Sequence, residues 1–155
     1  MQMEAFSLGM LETNCYIVWN EADDALVIDP SAEAALLLNL IARKHLKVRA
    51  ILLTHAHFDH IGALPELARR CAVPVVLHPA EADLYRSPLN AIPPIIPPIV
   101  GLPDTVPTLD ERWPGLEYSV LQTPGHSPGG VSFYFSGEGK VFSGDALFRD
   151  SVGRS

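Results

Sequence analysis

The sequence contains few of the groups that bind polyanions or anchor a chain in a bilayer. Lysine and arginine account for 11 of its 155 residues, against 18 aspartates and glutamates, so the formal net charge is −7. This charge opposes long-range attraction to nucleic-acid phosphates and to anionic lipid surfaces. No run of 18 apolar residues is present, and the first residues lack the basic and apolar regions of a secretory signal. We therefore expect a cytoplasmic protein without nucleic-acid or membrane partners.

Cysteine is also scarce. Cys15 and Cys71 both lie in apolar stretches, which predicts free thiols without a chemical role. The apolar content of 48 % is enough to bury one substantial core in a chain of 155 residues. We expect residues 1–155 to form a single domain.

The apolar pattern predicts a mixture of strands and helices. Runs of apolar and β-branched residues predict strands at 14–19, 25–28, 50–53, 73–77, 118–121, 131–135 and 140–142, and helices at 31–44, 63–70 and 79–85. Ser31 is the predicted N-cap of the first helix. This order predicts layers of helix packed on sheet.

Residues 88–108 contain seven prolines interleaved with isoleucine, valine and leucine. Proline lacks the N–H that a helix or a central strand needs, so we predict a loop within the domain. Its apolar content suits either a loop packed over the core or a loop that lines a substrate pocket.

Three histidines and one aspartate occupy six residues directly after the predicted strand at 50–53. His55 and His57 are two residues apart, so they project the same way from extended backbone and can contact one cation. Asp59 and His60 follow where the chain turns into the next helix, which allows their side chains to fold back toward a second cation. Imidazole nitrogen and carboxylate oxygen suit zinc, and also manganese or iron. This cluster predicts half of a two-metal site.

Two further candidates lie downstream. His126 lies in a loop rich in glycine and proline at 123–130, and Asp145 follows the predicted strand at 140–142. Each residue alone would be typical of a turn or a helix cap. A carboxylate has two oxygens and can bridge two metals. Asp29, which ends a buried strand before Pro30, is more typical of a turn cap, although a supporting role at the site stays open.

In this order the motifs resemble those of the metallo-β-lactamase superfamily, and within it the glyoxalase II-like (hydroxyacylglutathione hydrolase-like) hydrolases. The resemblance is carried by residues 14–16, 28–30, 54–62, 123–130 and 143–148. It implies an α+β fold, the four-layer αβ/βα sandwich, with the site along one edge of two sheets. It implies two zinc ions, with iron or manganese possible. The implied ligands are His55, His57 and His126 for the first ion and Asp59 and His60 for the second, with Asp145 bridging both.

The same resemblance implies hydrolysis of a small-molecule thioester such as S-lactoylglutathione by a metal-bound hydroxide. Asp59 is the implied catalytic group that orients this hydroxide or takes its proton. The family carries one more histidine ligand downstream of the bridging aspartate, whereas this sequence has no histidine after His126. We therefore expect a chain truncated at its C-terminus, with the last strands and helices of the sandwich missing.

Two alternatives stay open. A persulfide dioxygenase resembles the same motifs but uses a single iron, which His55, His126 and Asp145 would hold here. The second alternative is that the chain is a truncated, non-catalytic metal-binding remnant. A glutathione-linked substrate follows from the resemblance alone.

Overall fold

Nine strands and four α-helices make up the described part of the chain, residues 1–107 and 113–155 of a computed structural model. The strands are β1 (Gln2–Leu8), β2 (Thr13–Trp19), β3 (Asp24–Ile28), β4 (Lys47–Leu52), β5 (Val75–Leu77), β6 (Val106–Pro107), β7 (Ser119–Gln122), β8 (Val131–Phe135) and β9 (Lys140–Phe142). The helices are α1 (Ala34–Arg43), α2 (Phe58–Ile61), α3 (Leu64–Cys71) and α4 (Ala82–Arg86), and 3₁₀ turns lie at Pro79–Glu81, Ser136–Glu138 and Gly144–Ala146.

The strands form two sheets. The first has the order β1-β2-β3-β4-β5-β6, in which β1, β2 and β3 pair antiparallel and β3 to β6 pair parallel. The second is an antiparallel meander of β7, β8 and β9. Helix α1 joins β3 to β4, and α2 and α3 join β4 to β5, as parallel pairing requires. The carboxyl ends of β3, β4 and β5 therefore share one edge.

Both faces of the first sheet are buried at its centre, because β3, β4 and β5 are apolar at residues 25–28, 50–52 and 75–77. In β3, Ala25 and Val27 belong to the core shared with α1 and α3, whereas Leu26 and Ile28 belong to the core shared with the second sheet. This alternation follows from the two-residue repeat of a strand. Each fully buried leucine or isoleucine contributes about 2 kcal/mol of transfer free energy. The layers in the described residues are helix, sheet and sheet, which are three of the four predicted layers.

Helix α1 starts later than predicted. Ser31 is not its N-cap; Glu33 occupies that position with a φ of 48° and no side-chain capping bond. The Ser31 hydroxyl instead donates to the Thr13 carbonyl at 3.4 Å in the interior. A tertiary contact thus replaces the predicted local cap.

Two strands depart from the prediction. β1 was not predicted, because most of its residues are exposed or half-exposed and carry no strong apolar alternation. The prediction of a loop throughout residues 88–108 is wrong at Val106–Pro107, which pair with β5 as β6. Proline is compatible with this position because β6 is the edge strand. Residue 108, the last of the predicted loop, lies outside the described residues.

Both cysteines are free thiols. Cys15 is completely buried in β2, and burial raises the pKa of its thiol far above the ordinary value. No helix within residues 1–107 or 113–155 combines the length and apolar character needed to cross a bilayer.

Candidate metal centre

All six predicted ligands meet at the shared edge of the two sheets. The backbone N–H of Val131, at the start of β8, donates to the Thr54 carbonyl after β4 at 2.9 Å and so joins the sheets there. Around this bond lie His55 and His57 after β4, Asp59 and His60 in α2, His126 in the β7–β8 loop, and Asp145 in the 3₁₀ turn after β9. Placement at strand ends gives these side chains a rigid base.

The first ligand group consists of His55, His57 and His126. One ring nitrogen from each lies within 4.8 Å of the others. His126 Nε2 is 3.0 Å from His57 Nδ1, and the His55 ring centroid is 4.7 Å from that of His57. These are the three residues predicted to hold the first ion.

The second group consists of His55, His60 and Asp145, whose ligand atoms also lie within 4.8 Å of one another. Asp145 Oδ1 is 3.2 Å from His60 Nε2, and its Oδ2 is 3.5 Å from His126 Nε2. Its two oxygens therefore face one histidine of each group, which is the arrangement expected of a bridging carboxylate. Asp59 belongs to neither group; its Oδ2 is 3.6 Å from His60 Nε2 and accepts a hydrogen bond from Thr13 Oγ1 at 2.8 Å.

One ring nitrogen of His55 is placed to bind a cation. Its Nδ1 is 3.1 Å from Thr54 Oγ1, whereas its buried Nε2 has no hydrogen-bond partner among the described residues. A buried polar atom without a hydrogen-bond partner destabilises the fold by about 1–3 kcal/mol. A cation bound between the two groups would satisfy the nitrogen, and the imidazole and carboxylate donors suit a divalent metal.

The histidines differ in their electrostatic environments. Burial, followed by repulsion from the neighbouring histidines, lowers the pKa of His55, and burial and His126 lower the pKa of His57. Both imidazoles are therefore held neutral, as metal ligation requires. Burial by itself lowers the pKa of His60, but attraction to Asp29 and hydrogen bonds to Asp145 and Asp29 outweigh it and raise the pKa to about 10.

Asp29 and Thr54 support the histidines. Asp29 follows β3 with a φ of 47° and is almost fully buried. Its Oδ1 accepts from the Thr54 N–H at 2.7 Å, and its Oδ2 accepts from Thr54 Oγ1 at 2.6 Å and lies 3.0 Å from His60 Nδ1. The carboxylate thus orients His60, in the way that metal-binding histidines are commonly held. The supporting role that the sequence left open for Asp29 agrees with these contacts.

Glu81 and Asn90 were not predicted to belong to the site. Both are buried, and both hydrogen-bond to backbone groups of the segment that carries His55 and His57. Glu81 directly follows Pro79-Ala80 at the start of a helical segment. An acidic residue in such a position is ordinarily exposed to solvent. The sequence therefore carries no local signal for its role.

A cavity of about 440 Å³ adjoins the second ligand group. Its walls include Tyr16, Asp59, Asp145, Phe148 and Arg149. This volume lies within the range of about 300–1,000 Å³ typical of small-molecule sites.

Comparison with known proteins decides the family. The sequence pattern of the metallo-beta-lactamase superfamily matches residues 8–155. The chain belongs to this superfamily. Membership, together with the clustered histidines, supports a hydrolase-type enzyme with a divalent-metal site.

Several relatives match the whole chain, and two of them have names that state an activity. It is 36 % identical over 164 residues to probable metallo-hydrolase YqgX of Bacillus subtilis (strain 168), covering 100 % of this chain and 75 % of that protein. It is 30 % identical over 167 residues to hydroxyacylglutathione hydrolase GloC of Haemophilus influenzae (strain ATCC 51907 / DSM 11121 / KW20 / Rd), covering 100 % of this chain and 76 % of that protein. The chain thus spans about three quarters of the length of these relatives.

Solved structures confirm the predicted fold. BLEG-1 B3 metallo-beta-lactamase superposes with a TM-score of 0.90 at 36 % identity, over 99 % of this chain and 76 % of that chain. TTHA1623 in a di-iron-bound form superposes with a TM-score of 0.86 at 41 % identity, over 97 % of this chain and 76 % of that chain. The metallo-β-lactamase fold is therefore shown, and the relatives extend beyond the part of it present here.

Proposed function

We propose that this chain is a two-metal thioester hydrolase of the glyoxalase II type, with S-acylglutathiones such as S-lactoylglutathione as substrates and zinc as its metal. The observation that carries the proposal is the pair of adjacent ligand groups faced by the two oxygens of Asp145. The similarity to a relative named hydroxyacylglutathione hydrolase favours a thioester. The proposed first ion is held by His55, His57 and His126 and the second by Asp59 and His60, with Asp145 shared.

Two divalent ions bound here would supply Lewis acidity and a water of lowered pKa. The protein supplies orientation and proton transfer. Thr13 Oγ1 donates to Asp59 Oδ2 at 2.8 Å and so fixes the carboxylate in the wall of the cavity. From this position Asp59 orients the attacking water and accepts its proton. Attack on the thioester carbonyl then releases a carboxylate and a thiol, and no protein nucleophile is required.

The cavity beside Asp59 suits the remainder of the substrate. Tyr16 and Phe148 contribute aromatic walls, and Arg149 contributes a positive charge. Glutathione carries carboxylates that a guanidinium can bind with two hydrogen bonds. These features favour an anionic thiol as the leaving group.

The first experiment combines metal analysis with a thioesterase assay. Purified protein is expected to contain about two metal ions per chain and to release thiol from S-lactoylglutathione. Asp59→Asn is expected to reduce kcat by about 10²–10⁴-fold, the usual contribution of a general base. Asp83→Asn, which changes an exposed carboxylate on α4, is the matched control and should leave kcat unchanged.

The alternatives predict other outcomes. Two bound ions without thioester turnover would reject the substrate assignment, and hydrolysis of a chromogenic β-lactam would replace it. Oxygen consumption with glutathione persulfide by protein carrying one iron would identify the dioxygenase. Protein that binds metal but turns over none of these substrates would be the non-catalytic remnant.

A further inference from the structure

Glu81 connects the two segments that carry the first ligand group. Its side chain is completely buried at the end of the 3₁₀ turn Pro79–Glu81. Oε2 accepts the backbone N–H of Ala56 at 2.9 Å, and Oε1 accepts the backbone N–H of Gly129 at 2.7 Å. Ala56 separates His55 from His57, and Gly129 lies in the loop that carries His126. One carboxyl group thus contacts both loops directly.

Asn90 completes the contacts to the first loop. Its Nδ2 donates to the Ala56 carbonyl at 2.6 Å, and its Oδ1 accepts the Phe58 N–H at 2.9 Å. Residues 55–57 lie in neither helix nor strand, so side chains must satisfy their buried backbone groups. Asn90 binds the peptide groups on both sides of His57, and Glu81 binds the peptide group between His55 and Ala56. The two residues are hereafter called the clamp.

The fit between Glu81 and the second loop is close. A Cβ added to Gly129 would lie 2.7 Å from His78 Nδ1 and 3.0 Å from Glu81 Cγ. Only glycine permits this approach without displacing a neighbour. The 3₁₀ turn is itself fixed by His78 Nδ1, which accepts the Ala80 N–H at 3.2 Å.

We infer that Glu81 is a positioning residue that sets the separation of His57 and His126, while Asn90 fixes the orientation of the His57 peptide. The inference rests on the proposed metal centre. Ring nitrogens of these histidines lie 3.0 Å apart, and displacements of a few tenths of an ångström weaken a metal site. A glutamine at position 81 keeps one acceptor oxygen but turns an NH₂ group toward the other N–H, so one loop loses its anchor.

The test compares Glu81→Gln with Tyr85→Phe. Tyr85 is a matched control because it is buried on the adjacent helix α4 and donates one hydrogen bond, to the Pro103 carbonyl at 2.9 Å. Stability is measured as the urea midpoint in the presence of a chelator, and Co²⁺ affinity by chelator competition. Both variants are expected to lower the urea midpoint. Glu81→Gln alone is expected to weaken Co²⁺ binding about 10–100-fold and to alter the Co²⁺ absorption spectrum.

Asn90→Ala is the second variant, should Glu81→Gln fail to fold, and is expected to weaken Co²⁺ binding in the same direction. Unchanged Co²⁺ affinity, within twofold, in the folded clamp variants would overturn the inference and leave the clamp with a structural role. If the parent protein bound no metal, the proposed function would fail instead. The clamp is then tested on metal-free protein through the imidazole ¹⁵N resonances. Glu81→Gln should shift those of His57 and His126, and Tyr85→Phe should not; equal spectra would again overturn it.

Discussion

Replacing Asp29 by asparagine tests whether His60 is held in place by this buried carboxylate. Asparagine keeps the size of the side chain and one carbonyl oxygen, which can still accept the Thr54 N–H. In the parent, Asp29 Oδ2 accepts from Thr54 Oγ1 at 2.6 Å and lies 3.0 Å from His60 Nδ1. Asparagine places an NH₂ group there, which replaces this acceptor with a donor. The contact with His60 is therefore lost, and the Thr54 hydroxyl has to change from donor to acceptor.

The size of the effect follows from those contacts. A hydrogen bond to a charged group contributes about 1.5–3 kcal/mol, and removal of one partner from a buried ion pair costs about 3–5 kcal/mol. We expect metal-free Asp29→Asn to lose about 3 kcal/mol of unfolding free energy. Asp29 also fixes the tautomer and ring orientation of His60, so we expect metal affinity to fall about 10–100-fold.

Urea unfolding with a chelator and metal titration by chelator competition measure the two quantities. Asp24→Asn is the control, because Asp24 begins the strand that Asp29 follows and pairs at 2.7 Å with Arg49, whose side chain is 45 % exposed. A surface pair of this kind contributes about 0.2–1 kcal/mol and does not contact the site. The reasoning is refuted if Asp29→Asn binds metal within twofold of the parent, or if it is no less stable than Asp24→Asn.

Two further predictions concern the effect of pH and the 3₁₀ turn that contains Asp145. Because the pKa of His60 is raised to about 10 in the metal-free protein, its proton stabilises the fold most below pH 6.5, and this stabilisation is lost as the pH rises through 10. Metal binding near pH 7.5 should release this proton to the buffer. The heat of metal binding measured by calorimetry should therefore change with the ionisation enthalpy of the buffer, and a heat that is the same in all buffers would contradict the prediction. Gly144 has a φ of 50°, and a Cβ there would overlap Thr54 Oγ1, so Gly144→Ala should cost about 2–3 kcal/mol in urea unfolding. Gly137→Ala is the control, because nothing lies within 4 Å of the added Cβ, and its free energy of unfolding should stay within about 0.5 kcal/mol of that of the parent. Equal losses of unfolding free energy in the two variants would contradict the predicted clash at Gly144.

The elements with strong local patterns were predictable. β8 and β9 begin and end where the apolar runs predicted, at Val131–Phe135 and Lys140–Phe142. The ligand set came from the resemblance to the superfamily's motifs, since His126 and Asp145 alone would be typical of a turn or a helix cap. Each of these residues follows or lies close to the end of a strand, and the ends of these strands meet at one edge. The distances between the ligands could not be predicted, because these distances depend on how the two sheets pack.

Elements defined by tertiary contacts escaped prediction. Ser31 has the composition of an N-cap, but its hydroxyl contacts Thr13 instead. β6 forms only because β5 offers an open edge to Val106–Pro107. Glu81 resembles a surface residue until the fold buries it against Ala56 and Gly129. In each case the decisive partner lies far away along the chain, where local propensity carries no information.

The distribution of the ligands links metal binding to the docking of the sheets. His55, His57 and His60 follow the first sheet, whereas His126 and Asp145 flank the second. An ion shared between them binds the native arrangement and not the separated sheets, so it stabilises their packing by RT ln(1 + [metal]/Kd). Apart from contacts among the ligand side chains themselves, hydrogen bonds across this edge in the described residues include those from the Val131 N–H to the Thr54 carbonyl and from the Gly129 N–H to Glu81. Glu81 therefore acts at the point where the ion would join the two sheets, and it holds the His57 and His126 loops together independently of the ion.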